Sequence, residues 1–194
     1  MSQYFDNDAS VESKPKTIEL YKGDFYYRFM TDNGVFAKDG IDEFSLALLG
    51  YIKNLKGSLL DLGCGYGVIG IILYKENPGI VLYQSDINEK AVALTKENCR
   101  LNNVSSEALV SDGYAALNRL FDTVVLNPPI HAGKETVYRL YEETSRHLSP
   151  GGQFFIVIHK KHGAESHLKY LRGIFSAVDI LDKHKGLYII RCVY

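Results

Sequence analysis

Bulky and polar residues alternate through "TIELYKGDFYYRFMTDNGVF" (17–36), broken at Gly23 and Asn33-Gly34, which is the pattern of short antiparallel strands joined by turns. "IDEFSLALLGYIKNL" (41–55) then carries apolar residues at helical spacing. From Gly57 onward the pattern becomes strand, helix, strand, helix. "SLLDL", "IVLYQSD", "EALVSD", "DTVVLN" and "GQFFIVIHK" read as buried strands. Between them "VIGIILYKEN" is a helix ended by Pro78-Gly79, and "NEKAVALTKENCRLNN" is a helix with Asn88 at its N-cap. "KETVYRLYEETSRHL" is a helix stopped by Ser149-Pro150-Gly151-Gly152, and "AESHLKYLRGIF" is a further one. "AVDILDK" and "GLYIIRCVY" close the chain as two strands meeting across "HKG". That link is too short for a crossover, so the pair must be antiparallel.

This alternation predicts an α/β fold of the Rossmann-like kind: a mostly parallel seven-stranded sheet, helices on both faces and an antiparallel C-terminal strand. The expected organisation is residues 1–40 as a polar tail and short β appendage, with residues 1–16 a frayed lead-in, and residues 41–194 as the main domain. Ligands of such sheets bind beyond the carboxyl ends of the strands, where strand order reverses. The residues that follow each strand are therefore the ones that carry chemistry.

Composition narrows the partners. Lys plus Arg total 22 and Asp plus Glu 23, a net charge of −1, so a polyanion would have to find a local basic patch. Cys64, Cys99 and Cys192 are scattered without metal-ligand spacing and predict reduced thiols and no metal site. The N-terminus has no signal-peptide pattern and no apolar run spans a bilayer, so the expected location is cytoplasmic, with no membrane partner.

The first strand is followed by "DLGCGYGVIG", with Asp61, Gly63, Gly65, Gly67 and Gly70. Glycines permit positive φ and close approach of a ligand, and the next helix offers its N-terminal N–H groups. Gly65, Gly67 and Gly70 match the dinucleotide spacing G-x-G-x-x-G, but only in a shifted register: counted from Gly63, the third glycine falls on Val68. Asp61 before the loop is of no benefit to a pyrophosphate and suits a cationic cofactor. S-adenosylmethionine is one, carrying an ammonium and a sulfonium and no phosphate. Asp61 is then expected to attract its amino end, Asp86 to accept both ribose hydroxyls and Asp112 to accept the adenine amine.

"VVLNPPIHAGK" (124–134) ends the fourth strand in Asn127, Pro128 and Pro129. The Asn127 side-chain oxygen and the Pro128 carbonyl are placed to accept the N–H groups of an exocyclic amine and turn its lone pair toward a methyl group. The prolines hold them rigid, so catalysis is by positioning and electrostatics. His131 is a candidate substrate contact or proton acceptor. Lys134, Arg139, Arg146, Lys160, Lys161, Lys183 and Lys185 are candidates for meeting phosphates, and "HKKH" (159–162) lies on the ligand side of the sheet.

These segments, with "HLSPGGQFFIVIHKKHGAESHL" and "DNGVFAKDGIDEFSLALL", resemble the class I methyltransferases, and more closely the small-subunit ribosomal RNA guanine-N2 methyltransferase C family, from about residue 20 to the C-terminus. The resemblance implies that Asp61, Gly63, Gly65, Gly67, Asp86 and Asp112 hold S-adenosylmethionine. It implies that Asn127 with Pro128 orients a guanine amine in RNA, the expected targets being ribosomal RNA or a small-subunit assembly particle. Ile130 stands where amino-directed methyltransferases usually carry an aromatic residue that stacks on the base, so stacking is expected from elsewhere, with Phe36 a candidate. Members of that family also carry an extra N-terminal domain that has no counterpart in these 194 residues. The alternatives are a protein glutamine or another nucleic-acid amine as acceptor, a non-catalytic cofactor-binding RNA module, and a dinucleotide-dependent oxidoreductase, which leaves Asn127-Pro128-Pro129 unexplained.

Overall fold

The computed structural model describes residues 12–194, so most of the polar lead-in expected at 1–16 lies outside the described residues. The alternation at 17–36 forms the hairpin β1 (Lys16–Lys22) and β2 (Phe25–Thr31). It is followed by α1 (Glu43–Leu49), β3 (Ser58–Leu62), α2 (Val68–Glu76), β4 (Val81–Asp86), α3 (Glu89–Leu101), β5 (Ser106–Val110) and β6 (Phe121–Leu126). The chain continues through α4 (Lys134–His147), β7 (Leu148–His159), α5 (Ala164–Leu171), β8 (Ala177–His184) and β9 (Leu187–Val193).

Seven strands form one sheet in the order β5-β4-β3-β6-β7-β9-β8. β3 pairs parallel with β4 and β6, β4 with β5, and β6 with β7, while β9 runs antiparallel between β7 and β8, as the short link demanded. Lys185 and Gly186 both have positive φ there, at 49° and 84°. The chain winds outward from β3 to β5 and then returns to place β6 on the other side of β3. The ends of β3 and β6 are thereby neighbours, Leu62 paired with Leu126, at the reversal of strand order.

Both faces of the sheet are covered, which is why its strands read as nearly continuous apolar runs. Leu59, Val125, Phe155, Val157 and Ile189 face one core with α1, α2 and α3, while Leu60, Val124, Leu126, Phe154, Ile156 and Ile190 face the other with α4 and α5. The β1–β2 hairpin shares the first core, where Tyr27 and Phe29 are fully buried. Asn98 of α3 and Asn102, the C-cap of that helix, fasten it. Asn98 accepts the Met30 N–H and donates to the Met30 carbonyl (2.6 and 2.8 Å), and Asn102 does the same for Arg28 (3.0 and 2.7 Å). One turn apart on the helix, the two side chains imitate a neighbouring strand along the free edge of β2.

Several boundaries differ from expectation, among them the helix expected over 164–175, which ends at Leu171. α1 ends at Leu49, with Gly50 as its C-cap, instead of running through 41–55, and Ile52 reaches the core from the loop. β5 stops at Val110, which leaves Asp112 in the following loop. Ser149-Pro150-Gly151-Gly152 ends α4 but belongs to β7, which begins at Leu148 with an irregular register against β6 between Phe121 and Thr123. An irregularity of that kind is where a sheet tolerates proline and glycine.

Candidate functional site

A cavity of about 450 Å³ opens at the carboxyl ends of β3, β4, β6 and β7, walled also by the loop after β5. Its floor is the Gly63–Gly65 loop after β3, and Asp86 and Asp112 lie on one side. Asn127, Pro128, Pro129, Ile130 and His131 lie on the other, and residues 35–37 with Ile41 and Asp42 close it from the hairpin side. That last wall is held from below: the Tyr66 hydroxyl donates to the Gly40 carbonyl (3.1 Å) and Asn88 Nδ2 to the Gly34 carbonyl (2.9 Å).

The residues expected to hold the cofactor fall into two sets. Gly63 and Gly65 line the cavity with φ of 68° and 57°, and a Cβ at Gly65 would meet nothing within 4 Å. Asp86 accepts the Gly65 N–H at Oδ2 (2.8 Å) and the Asn88 N–H at Oδ1 (2.9 Å), and burial pushes its carboxyl above the usual range. The Ile87 N–H also helps to hold its charge, and since a carboxylate has room for about four hydrogen bonds, capacity remains for a hydroxyl donor. Asp112 is exposed at the rim and paired with Arg139 (2.6 Å), which also bonds Glu143.

Asp61 and Gly67, expected to touch the cofactor, are not among the cavity-lining residues. Asp61 is 1% exposed, and its Oδ2 accepts the Gly70 N–H (2.8 Å) behind the loop, with Gln84 Nε2 at 3.5 Å. Burial raises its carboxyl to about 7. The side chain anchors the start of α2 and acts on the cavity through the backbone it holds. Gly67 is the N-cap of α2 at φ 92°, and a Cβ there would lie 3.2 Å from Gln84, Ile71 and Thr95. Its glycine answers to packing and to a conformation that side chains rarely adopt.

On the opposite wall, Asn127 Nδ2 donates to Asp42 Oδ2 (2.9 Å) and Ser45 Oγ (3.2 Å), and its Oδ1 accepts no hydrogen bond among the described residues. Pro129, at φ −75° and ψ 74°, makes an inverse γ-turn, closed by the Ile130 N–H donating to the Pro128 carbonyl (2.8 Å). One lone pair of that carbonyl, expected to be free for an amine, is therefore already used. Phe36, 49% exposed, Ile130 and His131 all line the cavity. Lys134 does not: it lines a neighbouring pocket and stands 5.0 Å over the Tyr138 ring. Among the other cations, Arg139, Arg146 and Lys183 are paired with carboxylates, whereas Lys160 and Lys161 are exposed beside the cavity.

Sequence reasoning did not single out Asp42, Ser45, Phe44, His159 or His162 as site residues. His159 and His162 belong to "HKKH", whose placement on the ligand side holds. The Phe44 ring stacks on His159 (5.9 Å, 16°) at the cavity wall. Asp42 carried a local signal, an acid three residues before a serine at a helix start, which identifies an N-cap but not the strand end that it faces.

Residues 26–191 match the methyltransferase small domain family. The uncharacterized protein YbxB of Bacillus subtilis (strain 168) is 34% identical over 97% of this chain and 96% of its own length. Ribosomal RNA small subunit methyltransferase C of Photorhabdus laumondii is 36% identical over 80% of this chain, which spans only 44% of that protein. Among solved structures, the T. thermophilus 16S rRNA N2 methyltransferase RsmC, in complex with AdoMet and guanosine, superposes with a TM-score of 0.82 at 24% identity, over 94% of this chain and 51% of that one. With its strand order, glycine loop and Asn-Pro-Pro strand end in the same cavity, the chain belongs to the methyltransferase small domain family.

Proposed function

We propose that the protein is an S-adenosylmethionine-dependent N-methyltransferase acting on the exocyclic N2 amine of a guanine in RNA, with small-subunit ribosomal RNA as the substrate. The observation that carries this reading is Asn127, whose nitrogen is bound by Asp42 and Ser45 and whose oxygen accepts no hydrogen bond among the described residues, at the strand end beside the glycine loop. The residues of the cavity fit the cofactor. Two carboxylates, Asp86 and Asp112, border it on the side of the glycine loop, and a cation relieves the cost of burying Asp86. Asp86 is placed for ribose hydroxyls, Gly63 and Gly65 leave room for the methionine part, and Asp112 meets the adenine at the rim.

When bound, S-adenosylmethionine supplies an electrophilic methyl group on a positively charged sulfur. The chain's own residues supply orientation. Asn127 Oδ1 accepts one N–H of the amine, and the remaining lone pair of the Pro128 carbonyl is available for the other, which draws the nitrogen lone pair out of conjugation. Transfer of that methyl group to the oriented nitrogen would leave the nitrogen with one proton in excess, which it would release to solvent, since Asn127 and the Pro128 carbonyl only position the amine. Ile130 gives an apolar contact to the base, and Phe36 and Phe44 supply the aromatic surface that position 130 lacks. The RNA reading draws on the ribosomal RNA methyltransferases that the chain resembles.

The test is transfer of tritium from labelled S-adenosylmethionine into ribosomal subunits and total RNA from a host lacking this protein. Wild type is expected to label guanine N2, and Asn127→Ala to lose roughly 100-fold or more of that rate. Cofactor binding without label in any RNA fraction would overturn the RNA substrate and direct the assay to protein glutamines.

A further inference from the structure

We infer that Asp42 is a positioning residue: with Ser45 it locks the Asn127 amide in one orientation, nitrogen toward α1 and oxygen toward the acceptor amine. The role in transfer rests on the methyltransferase reading above. The lock itself stands on the hydrogen bonds alone.

Asp42 Oδ2 accepts three donors at once: the Ser45 N–H (2.9 Å), the Ser45 hydroxyl (3.2 Å) and Asn127 Nδ2 (2.9 Å). Asp42 is the N-cap of α1, at φ −62° and ψ 133°, so the helix start fixes where its carboxylate points. A carboxylate only accepts, so the side of the amide that faces it must be the NH₂. The two ends of an amide diverge from one carbon, so pinning the nitrogen turns Oδ1 away from Asp42 and Ser45. An unpinned asparagine presents its NH₂ group to the acceptor in the flipped rotamer, where two donors face each other and nothing orients the lone pair. The residue 85 positions upstream thus decides which face of Asn127 the substrate meets.

The lock also explains why asparagine stands at position 127 here. An aspartate would set two carboxylates against each other about 3 Å apart, an arrangement in which both cannot ionise. Asp42→Asn restores a donor to that pair.

Two variants separate the lock from the capping of α1. Asp42→Ser keeps an N-cap acceptor for Ser45 but is too short to hold Asn127, whereas Asp42→Ala removes both. Asp42→Ser is expected to lower kcat roughly 10- to 100-fold, with the Kd for S-adenosylmethionine within about twofold of wild type and little change in Tm. Asn127→Asp is expected to fall at least as far, and adding Asp42→Asn to it to recover about tenfold. In nitrogen-15 NMR the Asn127 side-chain amide is expected to be slow to exchange in wild type and fast in Asp42→Ser. Wild-type kcat in Asp42→Ser, no recovery in the double variant, or an unchanged amide signal would each overturn the inference. If wild type methylates no RNA, protein or DNA acceptor, the functional reading fails instead, and the amide signal still decides the lock.

Discussion

Gly65 and Gly67 sit two residues apart in one loop and answer to different demands. Gly65 lines the cavity, and a Cβ there would meet open space, at a φ of 57° that a side chain adopts at a cost of about 1 kcal/mol. Gly67 has the more extreme φ of 92°, and a Cβ there would press on Gln84, Ile71 and Thr95. Gly65→Ala is therefore expected to weaken S-adenosylmethionine binding in calorimetry while Tm shifts by only a few degrees. Gly67→Ala is expected to cost roughly 2–3 kcal/mol of stability, seen as the larger fall in Tm. Equal effects of the two on both measurements would show that the division of labour within the loop is misread. At the same scale Asn127 divides its own two ends, the nitrogen bonded to Asp42 and Ser45 and the oxygen accepting no hydrogen bond among the described residues.

At the scale of elements, the hairpin and the main sheet meet through α3. Asn98 bonds both backbone groups of Met30 and also donates to the Tyr66 carbonyl (2.8 Å), so it joins β2 to the end of the glycine loop. Tyr66 in turn holds the segment before α1 through its hydroxyl. Asn98→Ala leaves buried backbone groups at Met30 and Tyr66 without partners, which costs about 2–3 kcal/mol. The expected signs are a lower midpoint in urea and faster hydrogen exchange at Met30. Exchange at Met30 that matches wild type would mean that β1 alone holds the strand in place. Because residues 35–42 pass from this hairpin into α1 and wall the cavity, loosening β2 is also expected to weaken ligand binding.

For the whole molecule, the buried carboxylates set how stability follows pH. Asp61 has its carboxyl raised to about 7 in the folded chain by burial, against 3.8 as its ordinary value, so the native state binds the proton more tightly than the unfolded state. Its contribution is complete below about pH 4 and is lost as pH rises toward 7, and Asp86 shifts in the same direction. Asp32 works oppositely. Burial alone would raise it, but the Ser13 hydroxyl, Lys90 and the backbone N–H groups of Lys14 and Asn33 outweigh that and hold it well below the usual range, so its contribution is lost as pH falls below about 4. Without ligand, Asp61→Asn is expected to flatten the decline in Tm between pH 5 and 8, because an amide keeps an acceptor for the Gly70 N–H and has no charge to bury. An unaltered slope would place that decline elsewhere.

The sequence by itself determined the strand and helix order, the antiparallel end, the Asn88 cap and the loops that face the ligand, because periodicity, glycine and proline act within a few residues of themselves. It also located Gly63, Gly65, Asp86, Asn127 and Ile130 at one end of the sheet, since strand ends at a reversal of order converge wherever this topology forms. Only the tertiary structure decided which side of a backbone each side chain takes. Asp61 and Asp86 both follow the pattern of an acid at a strand end, yet Asp61 turns behind the loop to hold α2 while Asp86 lines the cavity. Lys134 and Arg139 look equally free as a string of letters, and in space one covers a tyrosine ring while the other is bound by two carboxylates. The meeting of Asp42 with Asn127 depends on where α1 is packed against the sheet, a contact across 85 residues that no local pattern encodes.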